Sequence, residues 1–307
     1  MTGAVVLSRS RLLIKRWLKT VLAIPGIAGK PRRPHLRVLF YHRVNPYPFA
    51  ALGPVSRELT VHPDMFEAQL RYLSSREYRS IGVGEFGRMM ASSQAIDSKA
   101  LLITFDDGYE DNLLWAAPLL RKYGFTAVIF VVSEFLSRTT ADVWPNSDPA
   151  AYGKFLDAGQ ISDLRRCGIE FGSHTASHPL LTTLPPERQY DELLASKQHL
   201  ENVIGGPVTC VAYPGGDFDP STEQSAVQAG YTLAFSTIPG VNLPGVPLTA
   251  LRRTEVSASD SLLVFRMKLA GWLDWLSFKE SRTIRRWIGG LNQLLTPLAR
   301  GRRTGDA

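Results

Sequence analysis

Six short apolar runs rich in β-branched and aromatic residues, at 37–41, 100–105, 126–132, 169–172, 208–213 and 231–235, recur along the chain and limit its fold more than any other feature. Continuous apolar runs of this length read as parallel strands buried on both faces. Between them the spacing predicts helices over 65–74, 112–123, 161–166, 187–204 and 222–229. Strand and helix in alternation point to a single α/β barrel-like domain with helices outside a parallel sheet. At 307 residues and 44% hydrophobic the chain can bury one full core, and it carries no internal repeat or low-complexity segment.

Two of the runs open directly onto polar blocks. The second leads into Thr104-Phe105-Asp106-Asp107-Gly108-Tyr109 and the fourth into His174-Thr175-Ala176-Ser177-His178-Pro179. Histidines at i and i+4 around a loop can offer two ring nitrogens to one divalent ion. A carboxylate from a neighbouring strand end then completes a three-ligand face with positions open for water and substrate, the pattern of a catalytic rather than a structural site. In an adjacent Asp-Asp pair one carboxylate can bind the ion while its neighbour takes a proton from the ion-bound water.

At these residues the chain resembles the polysaccharide deacetylases with a NodB-type homology domain, carbohydrate esterases that hydrolyse N-acetyl or O-acetyl groups on sugars. The resemblance runs from about Leu36 to Leu269 and rests on Tyr41-His42-Arg43-Val44, the Asp106-Asp107 block, the His174 to His178 block, Tyr213-Pro214-Gly215-Gly216 and Arg253-Thr254-Glu255-Val256. It implies an irregular seven-stranded (β/α) barrel. By the same resemblance Asp106 is the general base, and Asp107, His174 and His178 hold a divalent metal, most often zinc in such a shell. The Tyr213 backbone N–H faces the oxyanion, and His42 is the acid for the leaving amine. A Tyr-His-Arg-Val block ahead of the Asp-Asp block marks the circularly permuted members. Members with an arginine just before the Tyr-Pro block use it to orient the catalytic carboxylate; Val211 and Ala212 stand there instead, and Arg253, at the end of the strand-like run 248–252, is the candidate replacement.

The expected activity is metal-dependent removal of acetyl groups, N-acetyl before O-acetyl, from a polysaccharide or a lipid-linked glycan. Two alternatives remain open at this stage. A carbohydrate-binding pseudoenzyme would need a damaged base or metal face, and both are intact. A non-haem iron enzyme could use two histidines and a carboxylate, but the adjacent Asp-Asp pair and the strand pattern argue against it. His62-Pro63 reads as a turn before a helix, His35 and His199 as surface residues, and Cys167 and Cys210 as plain thiols. The loop-like stretch 137–159 could wall a substrate groove, with Trp144 exposed to stack on a sugar face.

The formal charge of +7 is unevenly placed. Residues 1–33 hold eight Lys or Arg and no acid, and residues 279–307 hold seven against Glu280 and Asp306. The 20 basic and 26 acidic residues between them give −6. The chain therefore divides into a basic amphipathic extension (1–34), a catalytic domain (35–270) and a basic C-terminal helix and tail (271–307). Apolar stripes at Leu13, Trp17, Val21 and Ile24, and at Ile284, Trp287, Ile288, Leu291, Leu294, Leu295 and Leu298, suit peripheral contact with an anionic membrane. The other reading of both ends is ordinary packing. No motif for nucleic acid is present. No apolar run reaches the roughly 20 residues that span a bilayer. Pro25-Gly26 cuts short the stretch that could serve as a signal peptide, so a retained segment is expected, in the cytoplasm or on the inner membrane face rather than exported.

Overall fold

The computed structural model describes residues 2–23, 34–48, 52–92, 96–144, 153–275 and 277. Helix α1 (Thr2–Ala23) precedes the domain. Strand β1 (Arg37–Tyr41) is followed by β2 (Arg43–Val44), α2 (Pro54–Leu59), β3 (Thr60–Val61), α3 (Pro63–Ser75), β4 (Arg79–Ser80) and α4 (Val83–Ala91). Next come β5 (Ala100–Phe105), α5 (Ala117–Lys122), β6 (Val128–Val131), α6 (Thr140–Val143), α7 (Ala158–Arg166) and β7 (Glu170–Ser173). The chain continues through α8 (Pro186–Ile204), β8 (Cys210–Ala212), α9 (Pro220–Gln228), β9 (Leu233–Phe235), β10 (Thr254–Glu255) and α10 (Leu262–Leu269).

The helix boundaries follow their local chemistry. His62 caps α3, its Nδ1 accepting the Asp64 N–H at 3.3 Å ahead of Pro63 in the first turn. Asp157 and Gln160 form a reciprocal capping box at the start of α7, and Gly205, at φ +67°, terminates α8. The helix expected over 112–123 is interrupted, since residues Asn112–Ala116 form a π-type turn before α5 begins.

Seven parallel strands run in the order β10-β1-β5-β6-β7-β8-β9, with β4 pairing the start of β5 off this path. All five residues of β1 and all six of β5 are buried, as strands covered on both faces must be. Alternate residues feed two cores. Leu39, Tyr41, Ile103 and Phe105 pack with Phe66 of α3, while Val38, Leu102, Phe130 and Phe235 pack with Phe86 of α4. The sheet curls so that the far edge of β9 meets the segment leading to β10: Ala234 N–H donates to Leu248 O at 2.7 Å and Ser236 N–H to Leu251 O at 2.8 Å.

The run 248–252, expected to be strand-like, is corrected here. Only Leu251 bridges to β9. Arg252 N–H bonds instead to Asn242 Oδ1 and Arg253 N–H to Ile238 O, which pulls the chain off the ladder until β10 pairs with β1. The amphipathic stripe beginning at Ile284, like Ile24 and residues 145–152, lies outside the described residues.

Candidate active site

Parallel strands place their C-terminal ends together, and the loops that follow β1, β5, β7 and β8 bring the candidate residues to one rim. Asp106 N–H extends the β5 ladder by donating to Tyr41 O at 2.9 Å. Asp107 then turns with φ +72° and Gly108 with φ +74°; a Cβ on Gly108 would stand 3.2 Å from the Val131 side chain, so glycine is required. After β7, His174 N–H donates to Val131 O at 2.8 Å, and Thr175 and His178 both adopt positive φ, +67° and +65°. Each such non-glycine residue costs on the order of 1–2 kcal/mol. What holds this loop is Glu192 of α8, whose carboxylate accepts from Ala176 N–H, Ser177 N–H and Ser177 Oγ at 3.1, 2.9 and 2.7 Å. Its distance in sequence from the loop and its place inside a helix gave no motif to read.

The three metal candidates converge. His174 Nε2 and His178 Nε2 lie 3.5 and 3.4 Å from Asp107 Oδ1, and one donor atom from each residue falls within 4.8 Å of the others. Ligands bonded at 2.0–2.1 Å around a tetrahedral ion stand about 3.3 Å apart, so the donor set fits zinc with little rearrangement. His174 Nδ1 donates to Ala212 O at 2.7 Å, leaving Nε2 as the lone-pair nitrogen turned to the site. Burial, followed by the neighbouring His178, lowers its pKa to about 4 against the opposing pull of Asp106 and Asp107, so the ring is neutral at physiological pH. A neutral ring is what a cation needs.

Asp106 lines the same cavity but pairs with a different partner. Arg253, fully buried, meets both of its oxygens: Nη1 to Oδ1 at 2.7 Å and Nη2 to Oδ2 at 2.8 Å. Its Nε donates to Ser236 O at 2.8 Å, and the guanidinium lies 4.4 Å from the centre of the Phe40 ring. Burial pushes the Asp106 carboxyl up, but Arg253, His174 and His42 together outweigh it and bring its pKa to about 2. The sequence-based candidate for the missing arginine thus sits on the carboxylate itself, although it comes from a different strand end.

His42 also reaches the site. With Asp106, Asp107, His174, His178, Tyr109 and Trp144 it lines one cavity of about 630 Å³, whose mouth includes Leu59, Thr237, Pro239 and Glu255. That volume suits a sugar-sized ligand. Trp144 is half-buried rather than exposed, edge-on to Phe135 and 6.1 Å from His178, so it forms part of the wall.

The Tyr213 assignment is corrected. Its N–H donates to Phe235 O at 2.9 Å and its hydroxyl to Thr249 O at 3.0 Å, while its ring stacks on Phe218. The β8 ladder continues one residue further than the motif suggests, and a hydrogen already given to β9 cannot serve an oxyanion. Gly215, two residues on, lines the cavity at φ +59° within the helical turn Pro214–Gly216. Opening N–H groups of such a turn have no partner inside it.

Known proteins resemble this chain in sequence and in fold. The polysaccharide deacetylase family profile matches residues 93–234. YxkH of Bacillus subtilis (strain 168), which carries the polysaccharide deacetylase name, is 29% identical over 241 residues, covering 78% of this chain and 75% of its own. Among solved structures, the Streptococcus pyogenes deacetylase PplD in complex with acetate superposes with a TM-score of 0.65 at 24% identity, covering 77% of this chain and 99% of its own. BC0361, a polysaccharide deacetylase from Bacillus cereus, gives 0.63 at 24% identity over 76% and 69%. The last two establish likeness of fold.

Proposed function

From the premise that this chain belongs to the polysaccharide deacetylase family, enzymes that hydrolyse acetyl groups on sugars, we propose that it is a metal-dependent N-deacetylase of a glycan. The observation that carries this reading is the separation of two acids adjacent in sequence: Asp107 faces two histidines, and Asp106 faces an arginine fork. A divalent cation held by Asp107, His174 and His178, zinc being the best match to the donors, would supply Lewis acidity at the reacting carbonyl and water.

The chain's own groups do the rest. Asp106 stays ionised throughout the working pH range, so it is always available to take a proton from the attacking water. Its low basicity means that transfer is favourable only from a water already acidified in the site. The Gly215 N–H is the donor best placed at the cavity wall to meet the developing oxyanion, a contact that contributes on the order of 3 kcal/mol. His42 delivers the proton that an amine leaving group requires. A sugar face packs on the Trp144 wall. Amine departure depends on protonation far more than alcohol departure does, and an imidazole lining the cavity favours the N-acetyl substrate.

Acetate release from a panel of N- and O-acetylated oligosaccharides, with and without chelator, tests the reading. Release from N-acetylated members that chelator abolishes and zinc restores is expected. Chelator-insensitive release, or release from O-acetylated members alone, would overturn it.

A further inference from the structure

Helix α1 lies on the domain with Lys15 and Lys19 turned toward it and Leu13, Ile14, Trp17, Leu18 and Val21 turned out. Lys19 Nζ reaches Asp260 Oδ1 at 2.6 Å, Ser259 Oγ at 2.6 Å and Ser257 Oγ at 3.0 Å. Lys15 pairs with Glu58. Ala23 is buried against Val264 and Leu273, and Trp275 Nε1 donates to Leu22 O at 2.9 Å. At about 100° per residue, Lys15, Lys19 and Ala23 occupy one side of the helix and Leu13, Ile14, Trp17, Leu18 and Val21 the other. That second side faces solvent, with Trp17 67% and Leu13 62% exposed. Packing driven by apolar burial alone would turn the helix the other way. The inward pull has a specific source: Asp260 is fully buried, and Lys19 and Lys268 are its two cations.

We propose that the outward face of α1 is a docking surface for an anionic lipid bilayer, and that it seats the catalytic cavity beside the lipid headgroups. Charge selects this occupant. α1 contains no acid, and with Lys15 and Lys19 paired to Glu58 and Asp260 its Arg9, Arg11 and Arg16 remain as excess positive charge. A second copy of the chain would bring two cationic helices together, whereas an anionic surface supplies the opposite sign around an apolar face that carries tryptophan. No helix among the described residues is long and apolar enough to cross a membrane, so the contact lies in the plane of the interface. The position of the cavity follows from the same anchors. Lys268 Nζ, bonded to Asp260, also donates to the carbonyl of Glu255, and Glu58 directly precedes Leu59; Glu255 and Leu59 both line the cavity. A glycan presented on a lipid would meet the site without leaving the surface. This last step rests on the deacetylase reading, whereas the docking itself does not.

The test is co-sedimentation of the full chain with phosphatidylcholine vesicles, with and without about a quarter phosphatidylglycerol. Pelleting with the anionic vesicles, weakened by salt, is expected, with a loss of roughly tenfold in binding in Ile14→Glu and Trp17→Glu. Both positions are exposed and neither lines the cavity, so acetate release from a soluble oligosaccharide should be unchanged, and that release also reports correct folding. The milder Trp17→Ala and Leu18→Ser give the same readout should either charged variant misfold. Undiminished pelleting of the folded variants, absence of pelleting by the intact chain, or self-association through this face without vesicle binding would each overturn the proposal. Vesicle binding by a chain that releases no acetate from any glycan would leave docking in place and overturn the deacetylase reading.

Discussion

Arg253 and Arg43 each press a buried guanidinium against an aspartate, and the two carboxyls respond in opposite directions. For Asp106, burial is outweighed by Arg253 and the nearby histidines, and the pKa falls to about 2. For Asp111, burial prevails over Arg43, the Asn45 amide and the Val44 N–H, and the pKa is raised. Geometry accounts for much of the contrast. Arg253 gives one nitrogen to each oxygen, a fork that matches a carboxylate. Arg43 meets Asp111 Oδ2 through Nε at 2.7 Å while lying 4.5 Å from the centre of the Tyr109 ring. The first pair puts an ionised carboxylate in the cavity lining; the second, outside that lining, ties β2 to the loop after β5. Residue types alone did not separate a site from a strut.

The largest expected effect isolates the first pair. Asp106→Asn should lose roughly 10²–10⁴ in turnover while retaining metal, whereas His174→Ala or His178→Ala should lose metal and activity together. Equal metal loss in Asp106→Asn and His174→Ala, read by elemental analysis, would erase the division between base and ligand. His42→Ala comes next, with a fall of about 10²-fold, undiminished metal content and a greater penalty on amide than on ester substrates.

Arg253→Met sharpens the comparison through pH. With the guanidinium gone, burial acts on Asp106 with less opposition, so its carboxyl rises and the acid limb of kcat/KM moves to higher pH, each unit costing about tenfold below that limb. The two wild-type pairs also carry opposite stability signatures. Asp106, lowered in the fold, contributes stability that is present above its ordinary value of 3.8 and is lost as pH falls toward about 2. Asp111, raised in the fold, contributes stability that is present below that value and is lost as pH rises through its folded pKa. Urea midpoints of Asp106→Asn and Asp111→Asn across acid pH should therefore diverge from wild type in opposite senses. Arg43→Met should cost about 3 kcal/mol of stability, because it strands a buried acid, yet leave the acid limb of the rate profile in place. A shifted limb in that variant would make the second pair part of the site. Smallest of all, Tyr213→Phe should cost about 1 kcal/mol in urea unfolding with kcat unchanged, since it removes only the bond to Thr249 O.

Long buried strands were legible in the sequence because burial on both faces leaves a nearly continuous apolar run, broken only by Arg37 in β1 and Thr104 in β5. The two residues of β10 were not, since Thr254 and Glu255 carry no run and the apolar stretch before them is held off the ladder by Asn242 and Ile238. The convergence of Asp107 with His174 and His178 was legible because each block directly follows a buried parallel strand, and parallel strands bring those ends to one rim. That the Tyr213 N–H is given to Phe235 O was not legible, because spacing does not reveal where β8 stops pairing with β9. For α1 the pattern showed an apolar stripe but not its direction, which depends on a buried aspartate far along the chain.

The closure of the sheet has a consequence for how such a protein is made. The proposed metal donors and base follow β5 and β7, whereas His42 follows β1 and the arginine that grips Asp106 precedes β10, the last of the described strands. A nascent chain that has passed His178 already carries all three proposed donors, yet it lacks the guanidinium until β10 emerges and docks on β1. On the proposed reading the donor set is therefore complete in the growing chain before the group that orients the base, and a chain cut short between the two has the first without the second.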